Sequence, residues 1–145
     1  MKLKSKSKFL IICILIFSKQ LFAFELFIEI NNIKNKNSVV GCALFDKSIK
    51  DSFPTDYEKA VLLNIPGNTE NIVCRFENLP SGDYAVSVFN DENNNGELDT
   101  NLFGIPKEDW GVSNNIRHAM SSPTFEEAKV TIDNDDLKIR IDLGN

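Results

Sequence analysis

The sequence predicts an all-β fold, a single antiparallel sandwich of seven short strands, and three observations predict it. Apolar and polar residues alternate with a period of two through most of the chain after residue 24, the pattern of strands with one buried face. Clusters of Asn, Asp, Gly and Pro separate the alternating runs. No long stretch carries the helical period.

Leu26, Ile28 and Ile30 alternate with Phe27, Glu29 and Asn31 in the first strand, which ends in the Asn-rich stretch to Asn37. Val39 to Phe45 is a mostly apolar second strand. Asp56 to Lys59, after Pro54, has room for one helical turn. Ala60 to Ile65 is the third strand, closed by Pro66-Gly67-Asn68. Ile72, Cys74 and Phe76 alternate with Val73, Arg75 and Glu77 in the fourth. After Pro80-Ser81-Gly82-Asp83, the fifth sets Tyr84, Val86 and Val88 against Ala85, Ser87 and Phe89. Val130 and Ile132 belong to the sixth strand. Leu137, Ile139, Ile141 and Leu143 belong to the seventh, with Asn134-Asp135-Asp136 as the turn between them. Seven alternating strands in a chain of this size make a sandwich. Residues 91–126 interrupt the rhythm as one long connection. Long connections in compact domains are often functional.

The N-terminus reads as an export signal over residues 1–23. Lys2, Lys4, Lys6 and Lys8 precede an apolar run from Phe9 to Phe17, and Ala23 is a small residue before the mature chain. These are the parts of a cleavable secretory signal. The apolar run is too short to span a bilayer, which takes about 20 apolar residues. Cys13 follows Ile11 and Ile12 rather than small residues, so no lipoprotein signal is read. The expectation is an exported bacterial protein, periplasmic or extracellular, with residues 24–145 as one domain and no transmembrane segment after cleavage.

Cleavage changes the charge. The whole chain carries −5, and the signal takes five of its 16 basic residues and none of its 21 acidic ones. The mature net charge is therefore −10. Nucleic-acid backbones need clustered positive charge, so nucleic acid is excluded as a partner. Cation binding fits, and so does plain solubility. Cys42 and Cys74 remain, each on the apolar side of its strand. In an oxidising compartment they can pair, or they can stay as buried free thiols.

Residues 91–99 form an acidic loop, Asp91-Glu92-Asn93-Asn94-Asn95-Gly96-Glu97-Leu98-Asp99. Oxygen side chains stand at its first, third, fifth and ninth places, with Gly96 sixth. A calcium loop needs hard oxygen donors and a sharp turn at that glycine. The candidate ligand set is Asp91, Asn93, Asn95, Glu97 and Asp99, with calcium as the ion. Leu102 occupies place twelve, where an EF-hand has its closing glutamate, and no flanking helices are evident. The loop is closer to the shorter D-x-N-x-N-G-x-x-D type. The same residues also suit a metal-free turn held by its own hydrogen bonds.

The stretch 103–126 carries Phe103, Trp110 and Phe125 with amides and the sole histidine, His118. Trp110, Asn114, Asn115, Arg117 and His118 are candidates for holding a sugar or a carboxylate. The competing account packs the three aromatics over an open end of the sandwich. His118 lacks a nucleophile and an orienting acid in any known spacing. No catalytic residue is assigned, and a hydrolase ranks third behind the binding readings.

Several ordered segments resemble one family: Ala43-Leu44-Phe45-Asp46, Phe53-Pro54, Lys59-Ala60, Phe76 to Val86, Asp91 to Asp99, Gly104-Ile105-Pro106-Lys107-Glu108, Gly111 to Asn115 and Pro123 to Ala128. In this order, behind a signal peptide, they resemble the DUF2141 family of exported bacterial proteins across essentially the whole mature chain. Trp110 takes a place associated there with tyrosine or phenylalanine. The Leu79 to Tyr84 stretch also resembles transthyretin-like and carboxypeptidase-regulatory-like sandwiches, where the tyrosine packs at a corner. The resemblance implies location and a transthyretin- or immunoglobulin-like architecture, and assigns no activity. The expected function is non-enzymatic: envelope-associated or secreted binding, with calcium in 91–99, and a carbohydrate or small-ligand module as the alternative.

Overall fold

The computed structural model describes residues 23–145. All of the predicted signal peptide except Ala23 lies outside the described residues. Among the described residues, eight strands form two sheets: β1 (Phe24–Asn31), β2 (Val39–Asp46), β3 (Val61–Pro66), β4 (Val73–Leu79), β5 (Gly82–Asp91), β6 (Trp110–Val112), β7 (Val130–Ile132) and β8 (Leu137–Asp142). A three-stranded sheet has the order β4-β1-β8. A five-stranded sheet has the order β3-β2-β5-β6, and β7 also pairs with β5.

All seven expected strands are present, and two details of the expected antiparallel seven-stranded sandwich are corrected. The first is an eighth strand, β6, inside the long connection. Three residues are too short to show alternation, and β6 is held by pairing Trp110 with Phe89 and Val112 with Ser87. The second is a mixed sheet. β8 runs parallel to β1, from Leu26↔Leu137 to Asn31↔Asp142. Parallel neighbours need a crossover connection, and here the chain supplies it by passing into the other sheet between β1 and β8. Glu25 N–H donates to Asp136 Oδ1 at 2.8 Å, fixing the start of both strands side by side.

The main core lies between the sheets. Leu26, Ile28 and Ile30 of β1 face Val40, Cys42 and Leu44 of β2 and Tyr84, Val86 and Val88 of β5 in one buried cluster. Cys42 and Cys74 are fully buried in it and joined as a disulfide between the sheets, with Cα atoms 6.5 Å apart, within the span a bridge requires. The chain passes from β4 to β5 through Pro80-Ser81. There the Tyr84 hydroxyl donates to the Pro80 carbonyl at 2.8 Å and pins the corner.

β5 departs from the half-buried expectation, because eight successive residues from Tyr84 to Asp91 are buried. Its second face carries Ala85 and Phe89, and Ala85 joins a smaller cluster with Ala43, Phe45, Phe53, Val112, Phe125 and Ala128. This outer layer is supplied by 47–60 and 113–128. Lys47–Ser52 is a 3-10 helix capped by the Asp46 carboxylate on Ser48 N–H (2.6 Å). Asp56 to Lys59 forms reverse turns rather than the expected helical turn. Its bonds run from Lys59 N to Asp56 O and from Ala60 N to Tyr57 O, and β3 begins directly afterwards. A four-residue helix, α1 (Phe125–Ala128), opens on Thr124 with a capping box to Glu127. Phe125 is buried as expected and Trp110 is half-buried, but Phe103 is 87 % exposed. The aromatic cover over the sandwich thus comes without Phe103. Among the described residues no helix is long and apolar enough to cross a membrane.

Candidate functional site

β5 carries its last residue, Asp91, straight into the acidic loop, and Asp91 is buried, with 3 % of its surface exposed. Its Oδ1 accepts from Asn95 N–H (3.1 Å) and its Oδ2 from Gly96 N–H (2.8 Å). The chain can fold back this tightly because Asn94 and Gly96 have φ of 59° and 83°, the left-handed region open to Asn and Gly. Asn93 Oδ1 accepts from Asn95 N–H, and Asn95 Oδ1 from Glu97 N–H. The two side-chain amides then donate to Asp99, Asn93 Nδ2 at 2.7 Å and Asn95 Nδ2 at 3.0 Å. The loop therefore brings Asp91, Asn93, Asn95 and Asp99 together through its own hydrogen bonds. Glu97 contributes its N–H, and its side chain points to solvent.

Glu108 was not among the sequence candidates. It is 5 % exposed, and its two carboxylate oxygens accept from Glu92 N–H (2.8 Å) and Asp99 N–H (3.0 Å). It thereby clasps both ends of the loop from outside it. The sequence held one hint: place twelve lacks the closing glutamate, and Glu108 is the acid the chain offers as it returns to β6. Asp109 pairs with Lys34 Nζ at 2.8 Å. Among the described residues, Asp91, Glu92, Glu97, Asp99 and Glu108 have no cationic side chain within ion-pair distance. Tyr57 packs against the same region, its ring stacked on Phe89 at 4.7 Å. Burial pushes its hydroxyl up to about 12, and the Glu108 charge adds to the shift.

Among the described residues no three acidic, histidine or cysteine side chains gather as a ready cation cluster. The loop has another resource. A half-turn of an asparagine amide exchanges its nitrogen and oxygen in place. Turning Asn93 and Asn95 would aim two more oxygens at the Asp99 carboxylate, at the expense of the bonds from Asn95 and Glu97 N–H. Such an all-oxygen set is stable only around a hard cation.

The second candidate group is divided between two locations. Trp110 exchanges main-chain bonds with Gly144 at 3.1 Å in both directions, closing the two sheets at one corner. Arg117 lies over the Trp110 ring at 5.0 Å and donates to the carbonyls of Trp110 (2.6 Å) and Gly144 (3.0 Å). Asn115 accepts from Asp142 N–H at 2.8 Å. Asn114 instead donates to the carbonyls of Glu127 and Lys129, and His118 Nε2 meets Glu127 Oε1 at 3.0 Å. The amides and the guanidinium are directed at main-chain groups, where they tie the long connection to β8 and α1. Ser113, fully buried, donates to Ala128 O and accepts from Val86 N–H (3.0 Å). Its role escaped the sequence because a lone serine carries no pattern.

A family model described as "Uncharacterized protein conserved in bacteria (DUF2141)" matches residues 28–140. That span runs from the first core strand to the last and takes in both candidate groups. No curated protein and no solved structure matches the chain. The chain belongs to the DUF2141 family.

Proposed function

We propose that this protein is an exported, non-enzymatic β-sandwich that binds calcium through the 91–99 loop and serves a binding or structural role in the bacterial envelope or outside the cell. The observation that carries the reading is a pair of nearly fully buried carboxylates, Asp91 and Glu108, that anchor the same loop with no cationic side chain beside them among the described residues. Burying carboxylates is costly unless they are compensated. Main-chain N–H groups compensate part of this, and a divalent ion would compensate more. Asp91, Asn93, Asn95, Asp99 and the Glu97 main chain would hold it, with Glu108 as the closing carboxylate that place twelve lacks.

Export is supported by the lysine-rich start, the short apolar run and the buried Cys42–Cys74 pair, because disulfides persist in oxidising compartments. The finer fold reading, a transthyretin-like sandwich, is supported by the Tyr84 corner at Pro80.

Calorimetric titration of residues 24–145 with calcium tests the metal reading. The expected result is saturable heat, with a melting temperature that rises as calcium is added and falls in chelator, because a ligand of the folded state stabilises it. Asp91→Asn and Glu108→Gln are each expected to abolish the heat. No heat, with identical melting in calcium and chelator, refutes the proposal.

A further inference from the structure

The outer strands of the two sheets differ in how their edges are protected. On β8, Asp142 N–H donates to the Asn115 side chain at 2.8 Å. On β6, Trp110 exchanges main-chain bonds with Gly144. β4 carries Arg75 and Glu77, charges of the kind that keep an edge from pairing. β3 has neither safeguard. Its 6 residues, Val61-Leu62-Leu63-Asn64-Ile65-Pro66, are uncharged, and none of them is buried. Val61 is 59 % exposed.

The phase of the ladder between β2 and β3 decides which main-chain groups of β3 face outward. Gly67 N–H donates to Ser38 O at 2.8 Å, so these two opposed residues are a hydrogen-bonded pair. Bonded and non-bonded pairs alternate along an antiparallel ladder. Val61, Leu63 and Ile65 are therefore the bonded partners of Leu44, Cys42 and Val40, and Leu62, Asn64 and Pro66 turn their main chain away from β2. Pro66 has no N–H, and its carbonyl accepts from Thr69 N–H (3.1 Å). Ala60 N–H, just before the strand, donates to Tyr57 O (3.2 Å). The free donors of this edge are thus the N–H groups of Leu62 and Asn64, with their own carbonyls beside them. Among the described residues these groups have no protein partner.

We propose that the β3 edge pairs antiparallel with the β3 edge of a second copy of the chain, about a two-fold axis at Leu63. On that axis Leu62 lies opposite Asn64 of the second copy, and Asn64 lies opposite its Leu62. Each opposed pair exchanges both N–H···O bonds, so all of the free groups of Leu62 and Asn64 find partners. The neighbouring axes fail. Centred on Leu62, the two-fold sets Asn64 against Ala60, whose N–H is already bonded to Tyr57. Centred on Asn64, it sets Leu62 against Pro66, which has no N–H to give. An open edge that is its own complement selects a second copy as its occupant, in a closed, isologous dimer. The side chains agree with this register. Leu63 meets Leu63 in a non-bonded pair, where side chains approach most closely, and Val61 meets Ile65. The Cys42–Cys74 bridge ties β4 over β2, so β3 reaches one strand beyond the smaller sheet. Val61, Leu63 and Ile65 are left partly open on that overhang, and pairing covers them on both copies.

Sedimentation equilibrium of residues 24–145 tests the pairing, in chelator so that calcium plays no part. A single short strand pair lies below the roughly 1,200 Å² of a stable interface. The expected result is a weak dimer that appears as concentration rises from about 10 µM to about 1 mM. Asn64→Pro removes an N–H that bonds nothing within one copy, a position where an edge strand accepts proline. An unchanged melting temperature shows that the fold is kept. Each dimer then loses two hydrogen bonds, and its affinity should fall roughly 30-fold, at about fivefold per bond. Cysteine substitution under mild oxidation reads the register independently. Residue 63 faces its own copy, so Leu63→Cys should link into dimers and Val61→Cys should not. Monomer at every concentration overturns the proposal. A dimer that the folded Asn64→Pro variant leaves intact also overturns it, as does one linked by Val61→Cys and not by Leu63→Cys.

Discussion

Opening the Cys42–Cys74 bridge removes a constraint that acts mainly on the unfolded chain. The two residues are 32 apart in sequence. Closing a loop of that length takes about 12 cal/mol/K of conformational entropy from the unfolded ensemble, or about 3.7 kcal/mol at 25 °C. A domain of about 120 residues has an unfolding entropy of about 250 cal/mol/K, so the melting temperature should fall by about 14 °C on reduction. Both sulfurs are buried, and a reductant reaches them only on unfolding. The bridge is therefore reduced in denaturant and the protein refolded with reductant present. Calorimetric melting and urea titration compare the two forms. The reduced form should also show a larger urea dependence, because its unfolded chain exposes more surface. A drop of less than about 3 °C, with an unchanged urea slope, would refute the reasoning.

Two further outcomes rest on packing and on titration. Gly41→Ala sets a Cβ 2.5 Å from the Phe89 ring, which lies buried against Tyr57, so the ring must shift. A destabilisation of roughly 1–3 kcal/mol is expected, read from urea midpoints, with a changed near-ultraviolet signal from Tyr57; unchanged values would show that the ring gives way freely. Glu127 is held below the usual carboxylate range, first by the Thr124 N–H and hydroxyl bonds of the capping box and then by His118. A carboxyl depressed in the folded state stabilises it above the ordinary carboxylate pKa, and that contribution is lost as pH falls through the lower folded value. Thr124→Ala keeps the N–H bond and removes the hydroxyl one, so it should raise the Glu127 midpoint part of the way toward the ordinary range in an NMR titration and weaken α1, and an unmoved midpoint would refute the hydroxyl's share.

The strands were legible because their physics is local. Alternation at Leu26-Ile28-Ile30 or Ile72-Cys74-Phe76 reports a buried face whatever the partner strand is. Partner and direction are not local. The parallel pairing of β1 with β8 depends on how many times the chain changes sheet, and on contacts such as Glu25 N–H with Asp136, 111 residues away. β6 was hidden by its length, and it exists because Arg117 and Gly144 hold Trp110 at the sheet edge. Asn114, Asn115 and Arg117 looked like ligand-binding groups because amides and guanidinium recognise polar ligands and main-chain carbonyls with the same chemistry. The sequence contains the donors and leaves open which acceptor they meet.

The acidic loop divides the same way. Spacing placed Asp91, Asn93, Asn95 and Asp99 together, since nine residues around one left-handed glycine have few ways to fold. Glu108 could not be placed by spacing. It reaches the loop only because β5 and β6 are antiparallel neighbours, so that the chain leaving at Asp91 returns beside it at Asp109, where Asn90 N–H bonds the Asp109 carbonyl at 2.8 Å. That register buries Glu108 between Glu92 and Asp99. The same return path must cross from one end of the loop to the other outside the packed sandwich, and residues 102–105 are that crossing. Their apolar side chains are exposed because the loop's own bonds hold the base of the tip away from any core. The feature that makes 91–99 a candidate cation site therefore also projects Leu102 and Phe103 outward.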